Sequence, residues 1–270
     1  MRVRLNGIVG GAIVASVIVA ATLSTVWTPF DPLRIAMRMK VRAPSLEHWL
    51  GTDELGRDVV SRLMVGAGNS CLVALMTVVI AVSLGALVGL MAGYSRGTAG
   101  RVLMFVNDAL LAFPGILLAL GLLAVLGAGA SGVAIALGLA YAPTVTRIVR
   151  GSVLSIRERE FIEASRSIGN GEIYTMVRHV LPGTVSPLIV LATSLFGWAI
   201  LAESALSFLG LGVAPPAPTW GNMLASARPY LQSATWLSVA PGLCIALTLL
   251  GINMLGDALR DALDIRNRPS

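Results

Sequence analysis

The chain has a single lysine among its 20 basic residues, and only two histidines and two cysteines in 270 positions. Each scarcity removes a chemistry. Lys40 stands in Arg38-Met39-Lys40-Val41 with no glycine-rich lead, so there is no phosphate-binding loop and the chain cannot itself be an ATPase. His48 and His179 lack the spacing of a zinc site and give serines such as Ser204 and Ser207 no base for nucleophilic catalysis. Cys71 and Cys244 lie far apart in apolar segments, match no metal or redox spacing, and read as packing residues. Charge is scarce as well: 13% charged against 56% hydrophobic residues, with mean hydropathy +0.81. That composition is a polytopic membrane protein. The net charge of +6 does not point to nucleic acid, because the arginines cluster at the ends of apolar blocks and no basic patch is interleaved with aromatics.

The apolar blocks set the spans. Leu5 to Trp27 is uncharged and exceeds the ~7–15 residues of a signal-peptide core, so it is expected to be the first span. A proline-bearing polar connection (Pro29, Pro32, Pro44) follows, in which Thr52 or Asp53 is expected to cap a short helix along the membrane interface. Val59, Val60, Leu63, Met64 and Ala67 would share its apolar face, with Arg57, Ser61 and Arg62 turned away. A second span is expected from about Cys71 to Ala92, where Gly85, Gly89 and Gly93 recur every fourth residue as a helix-packing stripe. Ala109 to Thr146 is uncharged for 38 residues, too long for one crossing, and Gly127–Gly132 divides it into two spans with Pro114 at the start of the first and Pro143 as a kink in the second. Pro182 to Leu209 and Leu237 to Leu255 complete six. Glu203, near the outer end of the fifth span, is either a functional intramembrane carboxylate or an interfacial one that is solvated or makes a local helix contact. Trp220 and Trp236 suit the water–lipid boundary.

The longest polar stretch between spans, Ser155 to Pro182, organises the rest. Ser155 and Glu158 have capping-box spacing, so a helix is expected to begin there. Phe161, Ile162, Ser165 and Ile168 fall on one helical face, Gly169 is placed as a left-handed stop, and Pro182 suits the first turn of the helix that re-enters the membrane. Such a loop lies on lipid or docks a partner. Glu163-Ala164-Ser165, Gly169 and Leu181-Pro182 resemble the EAA loop of permease subunits in binding-protein-dependent ABC importers, with Ser165 where the family usually has a second alanine. Three further strings, around Gly51-Thr52-Asp53 and Gly56-Arg57-Asp58, from Ala202 to Leu224, and from Gly256 to Asp264, resemble the second permease subunit of dipeptide and oligopeptide importers.

The resemblance implies an all-α, six-span type I ABC importer permease in the cell (inner) membrane, with both termini cytoplasmic. It also implies a related permease as heterodimer partner, two cytoplasmic ATPase subunits and an extracytoplasmic substrate-binding protein. The chain would bind no cofactor, ATP and Mg being held by the ATPases. Phe161, Ile162, Glu163, Ala164, Ser165, Gly169, Leu181 and Pro182 would couple to them, while no substrate or metal ligand is assigned. Residues 1–67 are expected to form an anchor, outer loop and interfacial helix, and 68–270 a five-helix core with its coupling loop at about 151–182. The positive-inside rule agrees with this orientation. Arg2, Arg4, Arg96, Arg101, Arg147, Arg150, Arg157, Arg159, Arg166, Arg178, Arg260, Arg266 and Arg268 would be inside, although six basic residues crowd the first outer loop. The competing class is a self-sufficient secondary transporter or channel, disfavoured because the spans carry almost no ionisable groups apart from Glu203.

Overall fold

A computed structural model describes residues 2–95 and 97–263, with side chains from residue 5 onward. Arg96, Asp264, Arg266 and Arg268, and the side chains of Arg2 and Arg4, lie outside the described residues. Among those described there are ten α-helices and no strand: α1 Arg2–Leu23, α2 Val59–Tyr94, α3 Thr98–Leu111, α4 Gly115–Leu126, α5 Ala130–Arg157, α6 Glu160–Ser167, α7 Glu172–Thr175, α8 Leu181–Phe208, α9 Trp220–Ala227 and α10 Trp236–Leu263. Five helical stretches are long and apolar enough to cross a membrane, six if the bent pair α3–α4 is one crossing.

The third crossing starts at Pro114 as expected, but the helix that follows is too short to cross alone. Pro114, lacking an N–H, stands at the start of α4, and α3 and α4 meet at 94°. At ~1.5 Å per residue the 12 residues of α4 span only about 18 Å of a hydrocarbon core of about 30 Å. Gly127 and Gly129, at φ +82° and +135°, supply the left-handed backbone that turns α4 into α5.

The centre of the molecule is the α2–α5 pair. A Cβ on Gly85 would stand 2.4 Å from Val145 Cβ, on Gly89 2.7 Å from Val149 Cβ, and on Gly93 2.8 Å from Val153 Cβ. The glycine stripe on one helix thus receives a valine stripe of the same four-residue period on the other. The first and last helices meet in the same way, Gly10 lying against the Gly251 carbonyl and Gly251 against Ile13.

No separate interfacial helix forms before α2. The helix runs unbroken for 36 residues from Val59, and its cap is Asp58, whose carboxylate accepts from the Ser61 N–H and hydroxyl at 2.8 Å each. Thr52 and Asp53 are occupied elsewhere. Thr52 Oγ1 accepts from the Arg42 N–H at 2.9 Å and donates to the Met39 carbonyl. Asp53 accepts from the Leu55 and Arg57 N–H groups at 2.9 Å and pairs with Arg57 Nε at 2.7 Å and Arg62 Nε at 3.2 Å. Arg57, Ser61 and Arg62 are therefore buried rather than turned away, because a folded connection (residues 24–58) covers the start of α2 and brings carboxylates to meet them. Trp220 also leaves the interface expected of it: it is buried, and its indole N–H donates to the Leu63 carbonyl at 3.1 Å.

Candidate functional site

The loop between α5 and α8 begins three residues later than its capping-box pattern suggests. Ser155 is still inside α5, and the break falls at Glu158–Arg159. Long-range contacts hold that last turn helical. Ile156 is buried and lies against Gly183, and Arg157 Nη1 donates to the Gly93 carbonyl at the end of α2 at 2.8 Å. The short helix α6 then carries Glu163, Ala164 and Ser165.

Gly169 ends α6 at φ +89°. Its N–H donates to the Arg166 carbonyl at 3.0 Å, and the Asn170 N–H reaches back to the Ser165 carbonyl at 3.2 Å. This is the paired six-to-one and five-to-two pattern of a Schellman stop, which needs a left-handed residue at that point. The chain then turns into α7, a π-helical turn at Met176–Val180, and α8, whose first turn contains Leu181 and Pro182.

The four residues expected on one face of α6 divide between two. Ile162 and Ser165, three apart, point inward and are buried, whereas Phe161 is 46% and Ile168 79% exposed. The Ser165 hydroxyl lies 3.2 Å from Thr175 Oγ1 and accepts from Asn170 Nδ2 at 3.1 Å. Where alanine would only fill space, serine staples α6 to α7. Arg166, its guanidinium 5.6 Å from the Tyr94 ring centroid and 3.5 Å from Glu172, fastens the loop to the end of α2. Ser165→Ala is expected to cost about 1 kcal/mol locally, raising amide exchange over residues 165–175 about fivefold without changing the global unfolding midpoint. Hydrogen-exchange mass spectrometry measures this, and unchanged protection would remove the stapling role.

What remains outward is an unpartnered apolar surface with an acidic edge. Phe161, Ile168, Ile173, Tyr174 and Val177 are exposed, as are Glu163 and Ala164, and the Phe161 and Tyr174 rings stand edge-on to His179 at 6.3 and 6.0 Å. The sequence singled out Phe161 and Ile168, but Ile173, Tyr174 and Val177 escaped notice because they precede α8 without a full helical period of their own.

Glu203 belongs to a second constellation, at the opposite end of α8. It is fully buried, accepts from Ser207 Oγ at 2.7 Å, and has Ser70 Oγ at 3.4 Å. Ser70 Oγ in turn accepts from the Trp220 N–H at 3.2 Å. The carboxylate therefore ties α8 to α2 and to the start of α9, an internal setting rather than a solvated one. Ser70 was not legible as its partner, being 133 residues away in sequence.

Long apolar helices form the bundle, and the loop carried between two of them presents a surface away from it, the build of a membrane-embedded protein. The chain belongs to the family of binding-protein-dependent transport system inner membrane components, whose model matches residues 85–269. Among its relatives, the di/tripeptide transport system permease protein of Pseudomonas aeruginosa strain UCBPP-PA14 is 44% identical over 266 residues, covering 96% of this chain and 88% of that protein. A putative peptide transport system permease protein of Brucella suis biovar 1 is 43% identical over 258 residues, 96% of this chain and 87% of that one. A glutathione transport system permease protein of Escherichia coli O6:K15:H31 is 48% identical over 221 residues, 82% and 73% of the two chains. A chain of the MetNI methionine ABC transporter, solved in inward-facing conformations, shares the fold at TM-score 0.61 and 18% identity, over 73% of this chain and 94% of that one. The protein is thus a permease subunit of an ABC importer, a component of the inner membrane.

Proposed function

We propose that this chain forms half of a translocation pore for peptides or similar small solutes. A second, related permease would complete the pore, and the α5–α8 loop would couple it to cytoplasmic ATPase subunits. The observation that carries the coupling is the outward surface of Phe161, Ile168, Ile173 and Tyr174 beside Glu163, mounted on a Gly169-stopped helix and stapled through Ser165. An exposed apolar cluster on a rigid mount is suited to a protein partner rather than to solvent. The arginines flanking the short loops favour a cytoplasmic position for this surface and both termini. ATP is bound together with Mg and hydrolysed in the partner subunits, and cargo is delivered by an extracytoplasmic binding protein. Peptide cargo follows from the names of the relatives in Pseudomonas and Brucella.

Because α6 is fastened to α5, α2 and, through α7, α8, a shift of the ATPase cleft that grips it is passed to the helices lining the pore. Nucleotide must then bind one arrangement better than the other. The test is affinity purification in mild detergent with mass spectrometry of co-purifying chains and an ATPase assay. Recovery of ATPase subunits with the unmodified chain, and at least a tenfold lower recovery and uptake with Glu163→Lys or Gly169→Pro at equal membrane abundance, is the expected result. Unchanged uptake by both variants would remove the coupling role.

A further inference from the structure

A cavity of about 450 Å³ opens between the turn joining α2 to α3 and the last turns of α5, and Arg101, Arg150 and Arg157 line it together with Ser95, Gly97 and Gly100. No carboxylate among the described residues pairs with any of the three arginines, although ion pairs are made elsewhere by Arg57, Arg62, Arg147 and Arg166. The Nε atoms of Arg150 and Arg157 are buried without a hydrogen-bond partner. Buried N–H donors left without an acceptor, as these two Nε groups are, are costly unless an anion satisfies them. The cavity wall adds donors of the same sign: α3, 14 residues long from Thr98, has Gly97 as its N-cap and no side chain capping its first-turn N–H groups.

We propose that this cavity is a binding site for a phosphate group, gripped by the Arg101, Arg150 and Arg157 guanidiniums at the α2–α3 turn. Arginine presents a fork of N–H donors that matches phosphate oxygens, and three such forks around one cavity match a dianion or a phosphodiester better than a carboxylate. The surroundings favour an anionic phospholipid as the source. One helical turn beyond Arg101, Phe105 is 76% exposed, with Val102 and Val106 exposed beside it, so an apolar strip for an acyl chain starts at the rim of the cationic cavity. The site adjoins Arg157, the final residue of α5, whose Nη1 bond to Gly93 fixes the base of the α5–α8 loop. It depends neither on the orientation nor on the cargo proposed above.

The experiment uses the full chain in two arms. In the first, native mass spectrometry follows phosphatidylglycerol binding to the detergent-solubilised protein and to Arg150→Gln, Arg101→Gln and Arg178→Gln. Affinity is expected to fall about tenfold for Arg150→Gln and Arg101→Gln and to stay unchanged for Arg178→Gln, whose exposed arginine lies outside the cavity. Arg101 stands on the exposed side of α3, so Arg101→Gln decides the matter if Arg150→Gln loses helicity. In the second arm, inorganic phosphate is added to the protein in phosphatidylcholine nanodiscs. A rise in melting temperature that Arg101→Gln abolishes, with no preference for phosphatidylglycerol in the first arm, supports the site with free phosphate as its occupant. Equal phosphatidylglycerol affinity in all four proteins together with no phosphate response, or an equal loss in Arg178→Gln, overturns the proposal.

Discussion

Valine at Gly89, in the middle of the glycine stripe, is expected to force α2 and α5 apart and to lower the unfolding midpoint strongly. A Cβ there would lie 2.7 Å from Val149 Cβ and 2.8 Å from the Thr146 carbonyl oxygen. Real Cβ atoms do not make such contacts, and one of the two neighbours is backbone, so no rotamer change relieves them. The helices must separate by about 1 Å, and separation at Gly89 also loosens the contacts of Gly85 and Gly93 one turn to either side. Overpacking of a tight core costs about 1–3 kcal/mol, and with a backbone clash and two neighbouring contacts involved the upper end or more is expected here. Gly121 is the control. Nothing lies within 4 Å of its Cβ position, so Gly121→Ala in α4 is expected to be neutral, or to stabilise by up to ~1 kcal/mol through helix propensity. Detergent-denaturation curves of both variants separate the two cases. Equal midpoints would show that the α2–α5 contact is not close-packed.

The glycine stripe was legible because a close approach of two helices leaves a residue-level trace, the regular absence of side chains. The partner valines, Val145, Val149 and Val153, left none, since valine is ordinary in an apolar span. Run length likewise counted the crossings but not the bend between α3 and α4. The 94° bend before Pro114 depends on where α3 packs, and a hydropathy count holds no such term.

The coupling loop shows the same division. Its stop at Gly169 is a local event, a left-handed residue closing a pair of backbone hydrogen bonds, and local events can be read from local sequence. Its start is not local. Ser155 and Glu158 had the spacing of a capping box, yet contacts of Ile156 with Gly183 and of Arg157 with Gly93, 27 and 64 residues apart in the chain, prolong α5 past it. The face of α6 was misjudged because Phe161, Ile162, Ser165 and Ile168 were assigned to a single side. The helix has apolar groups on two sides, Ile162 turned to the bundle and Phe161 and Ile168 turned out, as suits an element sandwiched between its own chain and a partner. Trp220 shows the reverse failure: an aromatic placed at the membrane boundary by composition is drawn inside by a backbone acceptor 157 residues distant.

Alanine at Asp53 is expected to be the most damaging change in the connection that covers the start of α2. The sequence offered Thr52 or Asp53 as the cap and the structure uses Asp58, because Asp53 is drawn to Arg57 and Arg62, which the fold buries to 6% and 5% exposure. Asp53 pairs with both while also accepting the Leu55 and Arg57 N–H groups. Without it Arg57 keeps only Glu54, at 3.0 Å, and Arg62 keeps only a long contact to the Pro32 carbonyl at 3.4 Å. Breaking a buried pair by removing one partner costs about 3–5 kcal/mol, because the remaining charge stays buried. Asp53→Asn retains an acceptor for the two N–H groups but not the charge, so an intermediate loss is expected. Glu54→Ala removes a side chain already 22% exposed and should cost about 1 kcal/mol or less. The order Asp53→Ala, Asp53→Asn, Glu54→Ala, from largest loss to smallest, is measurable as unfolding midpoints, with limited proteolysis between residues 30 and 58 reporting whether the connection lifts off first. If Asp53→Ala and Glu54→Ala proved equal, the two arginines would have to be neutralised by some other group, and the network would not be what fixes the first turn of α2.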